Sequence, residues 1–171
     1  GYHPGVGYGS AAYARTLDEC RRMGATWVAI TPFGRVANLE GRGVDPTFEK
    51  PFPQNREDVR RAIGMAHERG LSVMLVPHLW VESGDWRAKI DPPTEAAWAA
   101  WAASYEAYVR LWAEVAESTH VEMLSAGVEL RSWVTTSHAP AFSALIRRLR
   151  GVYHGLITYS GNWDDVDQTL I

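Results

Sequence analysis

The sequence predicts an α/β fold on parallel strands, from three observations. Short apolar runs alternate with amphipathic segments in the order α-β-α-β-α-β-α-β. Helix-to-strand connections are two residues or fewer, at Gly24-Ala25, Gly70 and Thr119-His120. Strand-to-helix connections are long, at residues 32–54, 77–93 and 127–139. Alternation of this kind implies right-handed crossovers and a parallel sheet. The long loops all lie beyond the carboxyl ends of strands, where such a fold keeps its site, in a barrel or an open sheet.

The first helix is expected over residues 10–23, with Ser10 as N-cap, Tyr13, Leu17 and Cys20 on one side, and Gly24 as its stop. TWVAIT (26–31) follows as a buried strand. A second helix is expected over 55–69, with Asn55 as cap, Glu57 and Asp58 in its first turn, and Gly70 at its end. LSVMLV (71–76) is the second strand, an almost unbroken apolar run.

The third helix opens at Thr94 after two prolines and runs to about Ser118. Trp98, Trp101, Tyr105, Tyr108, Trp112 and Val115 recur at steps of three and four, one helical face. This stripe reads as core packing in preference to a sugar platform. The third strand is VEMLSA (121–126), in which Glu122 must face water or a partner. A fourth helix over 140–150 turns Phe142, Leu145, Ile146 and Leu149 inward. GLITY (155–159) is the fourth strand, and residues 164–171 start a further helix.

Composition narrows the functions. The chain has 171 residues, enough for one domain with a real core, and 46% are hydrophobic, which argues against disorder. A net charge of −3 gives no electrostatic reason to expect nucleic acid or an anionic membrane. The basic cluster Arg147, Arg148 and Arg150 reads as the wet face of a helix. The single cysteine, Cys20, excludes an internal disulfide and a Cys-based zinc site, and it reads as a packing residue. No H-E-x-x-H or similar spacing occurs, so neither a metal nor another cofactor is expected. No apolar stretch is long enough for a membrane span. No signal peptide is visible, but the chain begins with Gly1 and not Met, as expected if an original N-terminus is missing, so extracellular and cytoplasmic locations both stay open. GYHPGVGYGS is glycine-rich, but no strand precedes it, so a nucleotide cradle is not indicated.

Each strand end delivers polar groups. Glu129 lies beyond the third strand between apolar Val128 and Leu130. A poorly hydrated carboxyl there suits a general acid. The competing reading is a structural Glu paired with Arg131 or Arg87. His78 follows the second strand and could meet a ligand hydroxyl or a carboxylate, or serve packing alone. Trp80 and Trp163 could stack on sugar rings, and Asn162 could bind hydroxyls; loop packing is the alternative for each tryptophan. Arg87, next to Trp86, could fix Glu129 or a substrate oxygen. Asp164, beside Asp165, reads as a helix cap.

GYGS (7–10), GATWVAITPFG (24–34), ERGLSVMLVPHLW (68–80), DWR (85–87), AGVEL (126–130) and LITYSGNWDD (156–165) run in order across nearly the whole chain. In these stretches the chain resembles the family 113 glycoside hydrolases, whose characterised members are β-mannanases. The resemblance implies a (β/α)8 TIM barrel, present only in part as about four parallel strands with intervening helices. It implies a retaining mechanism, with Glu129 matching the acid/base at the end of the fourth barrel strand. By implication residues 1–171 form one incomplete domain carrying strands two to five, with the first strand and the last three outside the chain. The family's nucleophile, a second Glu near the end of the seventh strand, has no counterpart here, and Glu82 is a poor substitute. One departure is Val128, where relatives commonly place a small or polar residue, often Asn.

The implied partner is an oligo- or polysaccharide, mannan-like and β-linked. A non-catalytic carbohydrate-binding or structural barrel domain is the alternative. A third reading, an α/β enzyme for phosphorylated ligands, requires phosphate cradles that the sequence lacks. Four parallel strands would leave two unpaired edges, which helices, loops or a partner must cover. Oligomeric state is not legible.

Overall fold

The computed structural model of the chain describes residues 5–171. The core is a four-stranded parallel sheet with helices packed against it. Its strands are β1 (Trp27–Ile30), β3 (Ser72–Leu75), β5 (Met123–Val128) and β6 (Leu156–Ser160), in the order β1-β3-β5-β6. These are the four strands expected from the apolar runs, but β1 and β6 are not buried as those runs implied: each is paired on one side only, and Trp27 and Leu156 are exposed. The third lies two residues later than its run suggested, because Glu122 stays outside it. The Glu122 carboxylate accepts from Val73 N–H at 2.8 Å and lies 3.2 Å from His67 Nε2, so it has its partners at the foot of the sheet.

Two further strands correct the reading of residues 32–54 and 77–93 as structureless. β2 (Phe33–Val36) and β4 (His78–Val81) pair in parallel. Ile30 lies opposite Leu75 and Phe33 opposite His78, so one register runs through both pairs. Pro32 and Pro77 fall at the join. Each lacks an N–H, and the ladder is interrupted there. Val76 N still donates to Ile30 O and His78 N to Pro32 O, both at 2.8 Å, so the strands continue past the break.

The helices follow the predicted order. α1 (Ala11–Arg22) starts where Ser10 accepts from Tyr13 N. The Tyr8 hydroxyl accepts from Thr31 N at 2.8 Å and seats the residues just before α1 on the end of β1. α2 (Phe52–His67) begins three residues before Asn55, since Pro53 is accommodated in a first helical turn and Phe52 packs edge-on against Trp112. α3 (Glu95–Ser118) has the Thr94 cap and buries the whole aromatic stripe, as expected of core packing. α4 (Arg131–Val134) is a single turn inside the loop after β5. α5 (Ala139–Leu149) buries Phe142, Leu145 and Leu149. The helix expected over 164–171 is only a 3-10 turn at Val166–Gln168, and Asp164 does not cap it; Asp165 holds that position without a side-chain bond.

The stripe on α3 also reaches the strand ends. Tyr105 Oη donates to Ala126 O at 3.0 Å, and Tyr108 Oη donates to His78 O at 3.0 Å. Gly34 permits this approach, since a Cβ there would stand 2.7 Å from the Tyr108 ring. Burial holds both phenols well above their ordinary range, so they remain donors. Among the described residues no helix is long and apolar enough to cross a membrane. Tyr105→Phe leaves the buried Ala126 carbonyl without its donor. We expect a loss of about 1–3 kcal/mol in denaturant unfolding with the slope unchanged; an unchanged midpoint would show that this anchor contributes nothing.

Candidate active site

The site begins with an irregularity in β5. Ser125 pairs with Thr158, but Val128 pairs with Ser160, so β5 carries one residue more than β6 over this stretch. Such a bulge bends a strand and re-aims the side chains after it. The Ser125 hydroxyl donates to Gly127 O and meets the Ser160 hydroxyl, each at 2.9 Å. Gly127 lets the bent backbone approach α5; a Cβ there would lie 2.8 Å from Phe142 Cζ.

Glu129 follows with φ +50°, in the left-handed region. For a residue other than glycine this conformation costs on the order of 1–3 kcal/mol and persists where its surroundings over-determine it. Here they do. Glu129 N donates to Ser160 O at 2.9 Å, and Leu130 N donates to the Tyr159 hydroxyl at 2.8 Å. Burial pushes Tyr159 up to about 12, so it stays a neutral phenol. Leu130 is buried, and the Glu129 side chain, 28% exposed, meets the loop after β4.

In that loop Trp86 Nε1–H donates to Glu129 Oε2 at 2.9 Å, and Arg87 Nη1 donates to the same oxygen at 3.1 Å. The purely apolar setting read from Val128 and Leu130 is therefore corrected. Leu130 turns into the core, and the carboxylate receives two donors. Of the two arginines the sequence left open, the partner is Arg87. Arg131 instead lies 3.8 Å from the buried Asp165 carboxylate. Glu82 is engaged by Arg35 at 3.2 Å.

Arg87 Nε also donates to His78 Nδ1 at 3.3 Å. An arginine N–H cannot accept, so this contact needs the Nδ1 lone pair and puts the ring proton on Nε2. The Leu79 carbonyl, 3.1 Å from Nδ1, competes for the other tautomer. Burial, and then the Arg87 cation, hold the His78 pKa below its ordinary value. Burial likewise draws Arg87 down, against the pull of Glu129. Arg87, His78 and Glu129 are thus one connected group.

Trp80 lies on the same face of β4 as His78 and is 53% exposed. Phe33 extends the row, 4.8 Å from the His78 ring and 5.2 Å from Phe48, which lies 6.4 Å from Trp80. A cleft of about 430 Å³ opens beside Phe33 and Phe48, and its lining does not include Glu129. A smaller hollow of about 110 Å³ lies among Trp80, Asp85 and Arg87. Asn162 and Trp163 are not drawn into this group. Asn162 Oδ1 accepts from Trp163 N at 3.3 Å, and the Trp163 ring is 87% exposed. Among the described residues no cluster of three His, Cys, Asp or Glu is placed to hold a metal.

Trp86, Phe33, Phe48 and Tyr159 are site residues that the sequence did not single out. Period-two alternation in FGRV and HLWV was the available signal for β2 and β4, masked by the prolines before them. Nothing in spacing alone marks Trp86 as the partner of a residue 43 positions away.

A parallel β/α sheet with a clamped carboxylate beyond a strand's carboxyl end is the arrangement that part of a (β/α)8 barrel presents on the face where such barrels keep their sites. The chain belongs to Glycoside Hydrolase Family 113, whose profile matches residues 4–169. Among solved structures it is similar to a GH113 β-1,4-mannanase at 25% identity and TM-score 0.81, covering 95% of this chain and 54% of that one. A complex of a GH113 β-1,4-mannanase matches at 26% identity and TM-score 0.81, covering 99% of this chain and 56% of that one. The GH113 β-mannanase AaManA from Alicyclobacillus acidocaldarius, in complex with ManMIm, shares the fold at 23% identity and TM-score 0.82, with coverage of 99% and 56%. The chain thus spans about half the length of these structures. No curated protein matches.

A depressed histidine pKa means the unfolded chain binds the proton more tightly. The stability that neutral His78 supports is complete above its ordinary value of 6.5 and is lost as pH falls toward the lowered value. We expect the melting midpoint to fall with pH in that window, and His78→Gln to remove this component. Equal pH slopes for the two proteins would contradict the assignment.

Proposed function

We propose that this chain contributes to a retaining glycoside hydrolase acting on a β-linked, mannan-like polysaccharide, with Glu129 as general acid/base. The observation that carries the reading is the placement of Glu129. It stands beyond β5 in a family 113 chain, with Oε2 held by two donors and no hydrogen bond to Oε1 among the described residues. Each solved relative above is described as a mannanase, which supports the substrate class.

The first step places a proton from Glu129 on the glycosidic oxygen as the C–O bond breaks, while a second carboxylate attacks the anomeric carbon. The ionised Glu129 then takes a proton from water, whose oxygen displaces that carboxylate. The pair must stand about 5–5.5 Å apart. No residue of these 171 corresponds to the family's nucleophile, so that role is assigned to a Glu outside them, in a domain of which this chain is the part carrying strands two to five. His78, Trp80 and Arg87 supply the sugar-facing surface next to Glu129. Asn162 and Trp163 are assigned to the same surface: they lie on the loop after β6, whose Ser160 accepts from Glu129 N, although no hydrogen bond ties them to Glu129 among the described residues. Val128 offers no side-chain amide to a hydroxyl, which leaves that contact to other donors.

The 171-residue chain alone should release no reducing sugar from β-mannan above background. In a protein that carries the chain with its second carboxylate, Glu129→Gln should lower kcat/KM about 10²–10⁴-fold on mannan. The loss should be far smaller on a substrate whose leaving group needs no protonation. Equal losses on both substrates, or full activity of the variant, would defeat the acid/base assignment. Sugar binding without turnover by the complete protein would favour a carbohydrate-binding barrel.

A further inference from the structure

We infer that Trp86 is a positioning residue which, with Arg87, reserves Oε2 of Glu129 and thereby assigns the transferable proton to Oε1. The inference rests on the reading of Glu129 as acid/base and adds the atom that carries the proton and the group that sets it.

A carboxylate oxygen offers two lone-pair directions in the carboxyl plane. On Oε2 two donors converge, Trp86 Nε1–H at 2.9 Å and Arg87 Nη1–H at 3.1 Å. A proton bound to Oε2 would face an N–H and displace one of these bonds. Oε1 has no such competitor among the described residues, so the neutral acid carries its proton there. When that proton passes to the glycosidic oxygen, the bonding pair of the broken C–O bond stays with that oxygen. The new carboxylate then already faces its two donors.

The two donors differ in kind. Arg87 brings a cation and also serves His78. Trp86 brings a neutral N–H that can only donate, with no tautomer and no titration in the working range. Its contribution is geometric. The loop that carries it is anchored at several points: Asp91 N donates to Leu39 O at 2.8 Å, Ala88 and Ile90 are buried, and the Ser132 hydroxyl, on α4 just past Glu129, donates to Ile90 O. Donor and acceptor loops are therefore held against each other independently of the Trp86–Glu129 bond.

The test is a pH titration of the 171-residue chain by NMR, with ¹⁵N-labelled tryptophan and ¹³C-labelled glutamate side chains. Trp86→Phe identifies the Trp86 indole peak by its loss. We expect that peak to shift in step with the Glu129 carboxyl while the buried Trp101 and Trp112 peaks stay fixed. In Glu129→Ala it should move upfield and exchange with solvent about 10- to 100-fold faster, as for a hydrogen bond to a charged group. An indole peak that ignores the Glu129 titration and the Glu129→Ala change overturns the inference. That outcome is separate from failure of the acid/base reading, which appears as retained mannan hydrolysis in Glu129→Gln. Trp86→Tyr assigns the same peak by its loss if Trp86→Phe fails to fold, so the failure of one variant does not remove the test.

Discussion

The left-handed turn at Glu129 is the constraint on which the site depends. Its φ of +50° is unfavourable for a residue with a Cβ, and it holds because β6 captures two consecutive N–H groups. Glu129 donates to the Ser160 carbonyl and Leu130 to the Tyr159 hydroxyl. Without that capture the chain would leave β5 in extended form and the carboxylate would alternate to the other face. The bulge between Ser125 and Val128 makes room for the turn, and Gly127 lets it pass close to Phe142. Sheet, bulge and turn act as one device that points a single carboxylate at the loop bearing Trp86 and Arg87.

The rest of the architecture steadies the two sides of that contact. α3 lies behind the strands and fastens Ala126 and His78 through tyrosine hydroxyls. The prolines at 32 and 77 break the ladder without ending it, so β2 and β4 extend the sheet above its main layer. That extension carries His78 and Trp80 on one face and Phe33 beside them. Arg87 then links the extension to Glu129. The sheet's margins are different in character. Among the described residues β1 and β6 are each paired on one side only, and Trp27 and Leu156 are exposed on them. This agrees with a chain that spans about half the length of the barrels it resembles.

Much of this was legible in the residues. The four main strands stand out as short apolar runs, but only the central β3 and β5 are buried as such runs imply, while β1 and β6 lie largely half-exposed at the margins; the caps Ser10 and Thr94 mark true helix starts. The α3 stripe is buried as its spacing requires. Glu129, His78 and Arg87 were singled out individually, and the structure brings them together. What stayed hidden depends on distant partners. A proline after a strand reads as its end unless the opposite strand carries one in register, as Pro32 and Pro77 do. The bulge in β5 exists only relative to β6. Trp86 looks like any loop tryptophan until Glu129 is placed against it. The tail after Ser160 misled for the opposite reason: its acidic start resembles a helix cap, but only a 3-10 turn forms, and its Leu170 N–H bonds to Val134 O at 2.8 Å.

The proposed chemistry requires a carboxyl whose Oε2 is held by the protein, as Trp86 and Arg87 hold it, and whose Oε1 can meet a sugar. A crystal structure of the chain soaked with a β-1,4-linked manno-oligosaccharide examines this most directly. The account predicts a sugar oxygen within hydrogen-bond distance of Glu129 Oε1, with Oε2 still bound by Trp86 and Arg87 and a ring lying toward Trp80 and His78. A sugar bound elsewhere, with Oε1 turned away from it or engaged by protein, would contradict it.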